Sequence, residues 1–397
     1  MKTHLTAGLV LIVLAASPLV AEQCGVCHPE ERVAHERSVH SREDLSCTSC
    51  HGGRPDSLDS DGAHRGAFRS LKNRLEIPAF CASCHSDLEK MRPYNLAVDQ
   101  YALYETSQHG RAIAAGETRA AICTDCHGSH EILPPRDPNS SVYVRNLPLT
   151  CGRCHGDEQL MRDFGLDPGV ADDYRNSVHG KALFDQGNLA APNCTNCHGV
   201  HGAAPPGNSD IDKVCGACHI QVRLAFIGGP HRAALIDAGL PECVACHSNH
   251  AIQRHQTEQI AEVCRECHED GSQEVDLGQK MQTLILQARS QLEEARELVA
   301  RAAAVPLHVE DHEARLEEAQ TYLLEAEPLV HGMSLDAVDQ LTRRARSIGE
   351  EVEHELYPEL EHGTAHLGLI AFWFYLLMTL AILFNYKRRL DRESSES

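Results

Sequence analysis

Residues 194–202 read CTNCHGVHG. Two thiols stand three positions apart, one imidazole follows the second thiol, and another imidazole comes three residues later. A metal site, a disulfide and a covalently attached haem can all draw on thiols and imidazoles at this spacing. The rest of the chain decides among them.

The chain has 397 residues and 18 cysteines. All of them fall into C-x-x-C pairs, and each pair is followed at once by histidine: Cys24, Cys27 and His28; Cys47, Cys50 and His51; Cys81, Cys84 and His85; Cys123, Cys126 and His127; Cys151, Cys154 and His155; Cys194, Cys197 and His198; Cys215, Cys218 and His219; Cys243, Cys246 and His247; Cys264, Cys267 and His268. Disulfides suit an exported protein but require neither this spacing nor a histidine after each pair. Zinc ribbons use C-x-x-C, but the adjoining histidine has no place in them. C-x-x-C-H is the haem c attachment signature. The two thiols add across the haem vinyl groups, and the histidine then lies under the iron as its proximal ligand. Nine motifs imply nine covalent haem c groups.

Composition agrees with that reading. Aromatic residues make up 5% of the chain, with a single Trp, which is little bulk for a core of this size. Haem macrocycles would supply it. Formal net charge is −21, which argues against a nucleic-acid partner and favours a neutral or cationic partner surface.

The motifs repeat in pairs. Four units each run from one C-x-x-C-H, through an S-x-H or P-H step, to a second C-x-x-C-H. The steps are HERSVH (35–40), YETSQH (104–109), YRNSVH (174–179) and FIGGPH (226–231). They offer His40, His109, His179 and His231 as distal ligands. The second motif then carries another histidine three residues on: His130, His201 and His250, with Arg54 at that place in the first unit. His201 is too near His198 to reach the opposite face of the same porphyrin, so it is expected to serve a neighbouring haem. The glycine of CHGxH lets the backbone turn sharply. His64 in the first unit could replace the partner missing at Arg54. That gives eight distal candidates for nine irons. The ninth motif stands alone, with His255 an unaligned candidate. His35 aligns with Tyr104, Tyr174 and Phe226 and is read as a packing residue. Two imidazoles per iron give a low-spin, six-coordinate haem suited to electron transfer.

Both termini suggest export and anchoring. MKTHLTAGLVLIVLAASPLVA (1–21) reads as a signal peptide, cleaved after Ala21. LGLIAFWFYLLMTLAILF (367–384) carries no charge and is followed by KRRLDR, so the positive-inside rule puts the tail in the cytoplasm and the haem region in the periplasm. Between these, apolar seams predict three helices. They run Leu277, Met281, Leu284, Ala288, Leu292, Ala295, Val299, then Leu316, Ala319, Leu323, Ala326, Val330, then Val338, Leu341, Ala345, Ile348, Val352. Pro306, and His331-Gly332 with Ser334, mark the breaks. His354, His362 and His366 lie near the membrane interface and could ligate the odd haem or meet quinol. The expected organisation is therefore a signal peptide (1–21), a haem domain (22–272), a helical domain (273–362), a transmembrane helix (363–386) and a cytoplasmic tail (387–397). The fold class is mostly α with extensive loops, organised by the haems.

With these residues in view, the chain resembles the bacterial multihaem c-type cytochromes with doubled CXXCH motifs. SQHGRAIAAGETRAAICTDCHGSH (107–130) and SVHGKALFDQGNLAAPNCTNCHGVHG (177–202) carry the likeness, which spans 24–268. The resemblance implies a periplasmic or membrane-attached electron carrier of anaerobic respiration. Its expected partners are a quinol-linked membrane donor, a redox-protein acceptor and the lipid bilayer, with self-association possible through the helical region. The NapC/NirT-type quinol dehydrogenases are similar in carrying haems on an anchor, but theirs is N-terminal. An enzyme acting on nitrogen or sulfur oxyanions, or on hydroxylamine, is the alternative. It needs an open iron, and the ninth motif's lack of a distal histidine is what points to it. Tyr322 or Tyr357 could modify such a haem, though nothing singles them out.

Overall fold

The computed structural model describes residues 23–207, 210–305 and 307–395, excepting the side chains of 362–367 and 393–395. The signal peptide and the Pro306 break lie outside the described residues, as do the side chains of His362 and His366. Among the described residues every regular element is helical. The chain forms two compact units, Met1–Pro205 and Pro206–Ser397.

The first unit is a string of short helices. Each step histidine sits just after a helix–helix joint. In the second repeat, helix Gln100–Thr106 stops at Ser107, whose extended backbone starts helix Gln108–Ala114. The fully buried Ser107 hydroxyl donates to the Tyr104 carbonyl (2.6 Å) and accepts from the Gly110 N–H (2.9 Å). It thus satisfies groups at the end of one helix and the start of the next. Ser177 does the same between Tyr174 and Gly180. The helices cross so closely that a Cβ on Gly110 would stand 2.0 Å from the Tyr104 carbonyl oxygen, and one on Gly180 2.1 Å from that of Tyr174. Only glycine fits after these two histidines.

The aromatic position of the step also has a job. Tyr104 donates its hydroxyl to the Ala121 carbonyl and Tyr174 to that of Pro192, both at 2.9 Å. Each acceptor lies two residues before the second motif of its repeat. His35 Nε2 makes the equivalent bond, to Leu45, at 2.8 Å. That bond uses the nitrogen an iron ligand would need, in keeping with a packing role. Apolar clusters in this unit are small: Ile113, Ala120 and Ile122 in one, Tyr174, Leu183 and Ala191 in another.

The second unit joins the last three motifs to three long helices: α1 (Gln273–Ala303), α2 (Glu310–Leu329) and α3 (Leu335–Ser395). The contact boundary at 205/206 therefore falls within the motif region, whereas the sequence texture changes near 273. α1 packs against both α2 and α3, so its core stripe is wider than a two-helix seam. Ile285 and Leu298 are buried with Met281, Ala288, Leu292 and Ala295, while Leu277 and Leu284 are only partly covered. The ninth motif docks on α1: the Ala261 N–H donates to Gln282 (3.1 Å), and a Cβ on Gly278 would stand 2.7 Å from Cys264 Sγ. α3 does not end at the membrane boundary. It runs on without a break into one candidate membrane span, Gly368–Arg392, of mean hydropathy 2.0.

Candidate haem sites

In repeats one to three the second motif is a single helical turn closed by its own residues. Ser49, Asp125 and Asn196 each lie between the two cysteines. Their side chains accept from the backbone N–H of Ser46, Ile122 and Asn193 at 2.8–3.0 Å. This cap holds both thiols on one turn. Asp125 also takes a bidentate bond from Arg74 (2.6 and 3.1 Å). Burial works to raise its pKa, but the Arg74 guanidinium and the Ile122 N–H outweigh burial and hold the carboxyl below the ordinary carboxylate range. The next residue leaves the turn in the left-handed region: Gly128 at φ +81° and Gly199 at +85°, with Ser248 at +58° in the fourth copy. A side chain there costs roughly 1–2 kcal/mol, which glycine avoids.

Among the described residues no two thiols are joined in a disulfide. Among the described residues no group of three or more His, Cys, Asp or Glu side chains is gathered as a zinc ribbon would need. Six of the nine motif imidazoles instead face one other imidazole. Ring centroids stand 6.3 Å apart for His28 and His64, 6.2 Å for His51 and His130, 6.0 Å for His85 and His40, 6.2 Å for His127 and His201, 6.0 Å for His155 and His109, and 6.1 Å for His268 and His231. A metal–imidazole bond is about 2.0 Å and the ring centre lies about 1.1 Å further, so two imidazoles on one metal are about 6.2 Å apart. The pairs fit a shared iron.

A rule runs through these pairs. The step histidine of one repeat faces the first motif of the next: His40 to His85, His109 to His155, His231 to the ninth motif's His268. The histidine after a second motif faces back to the repeat before it: His130 to His51, His201 to His127. The backbone holds this interlock, since Val39 N–H donates to the Ile132 carbonyl (2.9 Å) and Gln108 N–H to that of Ala203 (3.2 Å). The first motif has no preceding repeat, and its partner is His64. His64 thus faces His28, the first motif's histidine. The ninth motif reads as the start of a fifth repeat.

His255 is not beside the ninth motif. It lies against His247 with centroids 5.0 Å apart, and its Nε2 donates to the Cys246 carbonyl (2.9 Å). The ring facing His247 at the ligand-pair distance, 6.1 Å, is His331, which the sequence reading took only as a helix break. His179, His198, His219 and His250 make interactions of their own. His354 is exposed.

The electrostatics suit ligation. Burial lowers the pKa of His40, His85, His109, His127, His155, His201 and His231, which keeps the imidazoles neutral with a lone pair to give. His51 Nδ1 lies 3.0 Å from the Arg69 carbonyl. A carbonyl only accepts, so Nδ1 carries the proton and Nε2 is left for a metal. The leading thiols of the two motifs in a repeat also touch: Cys81 with Cys123, Cys151 with Cys194, Cys215 with Cys243.

Thiol pairs on single turns, each followed by an imidazole that in most motifs faces a second one, define a c-type cytochrome with many haems. The chain is a bacterial multihaem c-type cytochrome carrying covalent haem c. The family model for cytochrome c3 matches residues 39–156, the second to fifth motifs. Multiheme cytochrome MtrA of Shewanella baltica (strain OS185) is 23% identical over 225 residues, which are 52% of this chain and 55% of that protein. The chain thus spans about half the length of this curated relative. No solved structure matches.

Proposed function

We propose that this protein is a membrane-anchored, periplasmic electron carrier with nine haem c groups, passing electrons in anaerobic respiration from a quinol-linked membrane donor to a redox-protein acceptor. Haem c, when bound, supplies an iron that gains and loses single electrons. What the chain does is hold imidazoles in pairs at the spacing one iron needs, so that ligation need not change with charge. The six imidazole pairs at 6.0–6.3 Å are the observation that carries this reading.

Within each compact unit, order along the wire follows chain order over the motifs whose thiols lie near one another. Besides the touching thiols within repeats, Cys50 lies in electrostatic range of Cys84, Cys126 of Cys151 and Cys246 of Cys267. Successive motifs are therefore neighbours over motifs two to six and seven to nine. The enzyme alternative rested on a ninth iron lacking a partner, and His231 facing His268 supports a closed ninth site.

The anchor bears on the donor. Motifs eight and nine meet the helices where α2 turns into α3, and the candidate span begins at Gly368. At 1.5 Å per residue, Leu335 to Gly368 is about 50 Å of helix. For these two haems that favours a donor protein projecting from the bilayer over quinol within it.

The test is intact-mass analysis of the exported protein with a potentiometric titration. Nine haem additions, stepwise one-electron reduction and no turnover of nitrite, hydroxylamine or sulfite are expected. Fewer additions, or steady turnover of one substrate, would refute the proposal.

A further inference from the structure

We infer that the helical region is itself part of a haem site: His331, in the turn between α2 and α3, is the second axial ligand of the iron at the eighth motif. This rests on the multihaem reading above and adds a ligand from outside the motif repeats.

The interlock requires such a residue. A second motif takes its distal imidazole from the following repeat, and the eighth motif is followed only by the truncated fifth. An array of interlocked repeats needs different residues at its ends. His64 closes one end, and His331 stands at the other. Its ring lies 6.1 Å from His247 at an interplanar angle of 26°, matching the 29° of His51 and His130 and the 17° of His127 and His201.

Local structure aims the ring. Pro328 near the end of α2 has no N–H, and the chain tightens into a 3₁₀ turn, Val330–Gly332, that ends at left-handed Met333. His331 Nδ1 donates to the Pro328 carbonyl at 3.1 Å, which leaves Nε2 with the lone pair. The nearer rival, His255, already uses its Nε2 as a donor to Cys246.

The turn is also registered against the last step. A Cβ on Gly229 would stand 3.0 Å from both Gly332 Cα and the His331 carbonyl oxygen, and one on Gly332 would stand 3.2 Å from the Ala225 carbonyl oxygen. Two backbones meet here with no side chain between them. Gly229 is also the N-cap of helix Pro230–Asp237, which carries His231. One contact therefore sets the distal rings of motifs eight and nine together.

The experiment uses the full-length holoprotein in detergent and compares H331A, H331M, H255A and H109A by haem content, low-temperature EPR and near-infrared magnetic circular dichroism. H331A should keep every covalent haem and convert one haem from low to high spin. H331M should stay low-spin while one haem's near-infrared charge-transfer band moves to that of a His–Met iron, and it decides the matter if H331A does not accumulate. H255A should remain wholly low-spin. If H109A frees one haem but neither His331 variant alters any, the inference is wrong and the bis-imidazole reading stands. If H109A also changes nothing, that reading fails and this inference with it.

Discussion

Replacing Gly110 by alanine should disturb an iron whose ligand is the preceding residue. The added Cβ would lie 2.0 Å from the Tyr104 carbonyl oxygen and 2.7 Å from its carbon. Ordinary contact begins near 3.4 Å, so helix Gln108–Ala114 must shift by about 1.4 Å or the joint at Ser107 must open. His109 moves with that helix. Its ring is set 6.0 Å from His155, and an iron–nitrogen bond of about 2.0 Å cannot absorb such a shift. We expect G110A to retain its covalent haems, to turn one haem high-spin at least in part, and to lose about 1–3 kcal/mol of stability by overpacking. EPR and denaturant unfolding of the same preparation read both. G228A is the control, because a Cβ at Gly228 meets nothing within 4 Å. A G110A protein indistinguishable from wild type in spin state and midpoint would refute the reasoning from close helix crossing to ligand position.

Three further outcomes are expected. D125A removes both the cap and the Arg74 pair, and should lower protection of residues 118–127 in hydrogen exchange by about 1–2 kcal/mol, whereas D125N, which keeps an acceptor as Asn196 does, should lose less than half of that. His35→Ala should weaken the approach to the second motif by about 1 kcal/mol, read by exchange at residues 43–47, and His35→Tyr, the residue of the next two repeats, should restore it. Burial depresses the pKa of His109, His127 and His201, so the folded state binds fewer protons than the unfolded chain. The stability they give is fully present above the ordinary imidazole value of about 6.5 and is lost as pH falls below it. Acid titration should therefore release distal ligands while alkaline titration to pH about 9 should not, and a spin state constant from neutral to acid would count against this.

Much of the site was legible because its chemistry is local. C-x-x-C-H places two thiols and an imidazole on one helical turn, so no tertiary information is needed to read it. The recurring step was legible too, and the place of His35 beside Tyr104 and Tyr174 followed from alignment alone. Partner choice was not, because it depends on how repeats interlock: nothing in sequence ties His130 to His51 across 79 residues except the Val39–Ile132 contact that folding creates. His331 was hidden differently. It lies 63 residues beyond the last motif, among helical seams where His-Gly reads as a break. One signal was present, since Val330-His331-Gly332 repeats Val178-His179-Gly180 of the third step. His255 drew notice because it is nearer in sequence, yet its Nε2 is spent on a carbonyl. The seam of α1 was read too narrowly because a helix touching two neighbours buries more than one stripe.

The most direct test of the central claim is low-temperature EPR of the fully oxidised, detergent-solubilised protein, alone and with nitrite, hydroxylamine or sulfite. Imidazoles on both faces of every iron predict low-spin ferric signals only, unmoved by any of the three. A high-spin signal of about one haem that shifts with one of these ligands would mean an open iron, and the protein would then be a catalyst and not a carrier.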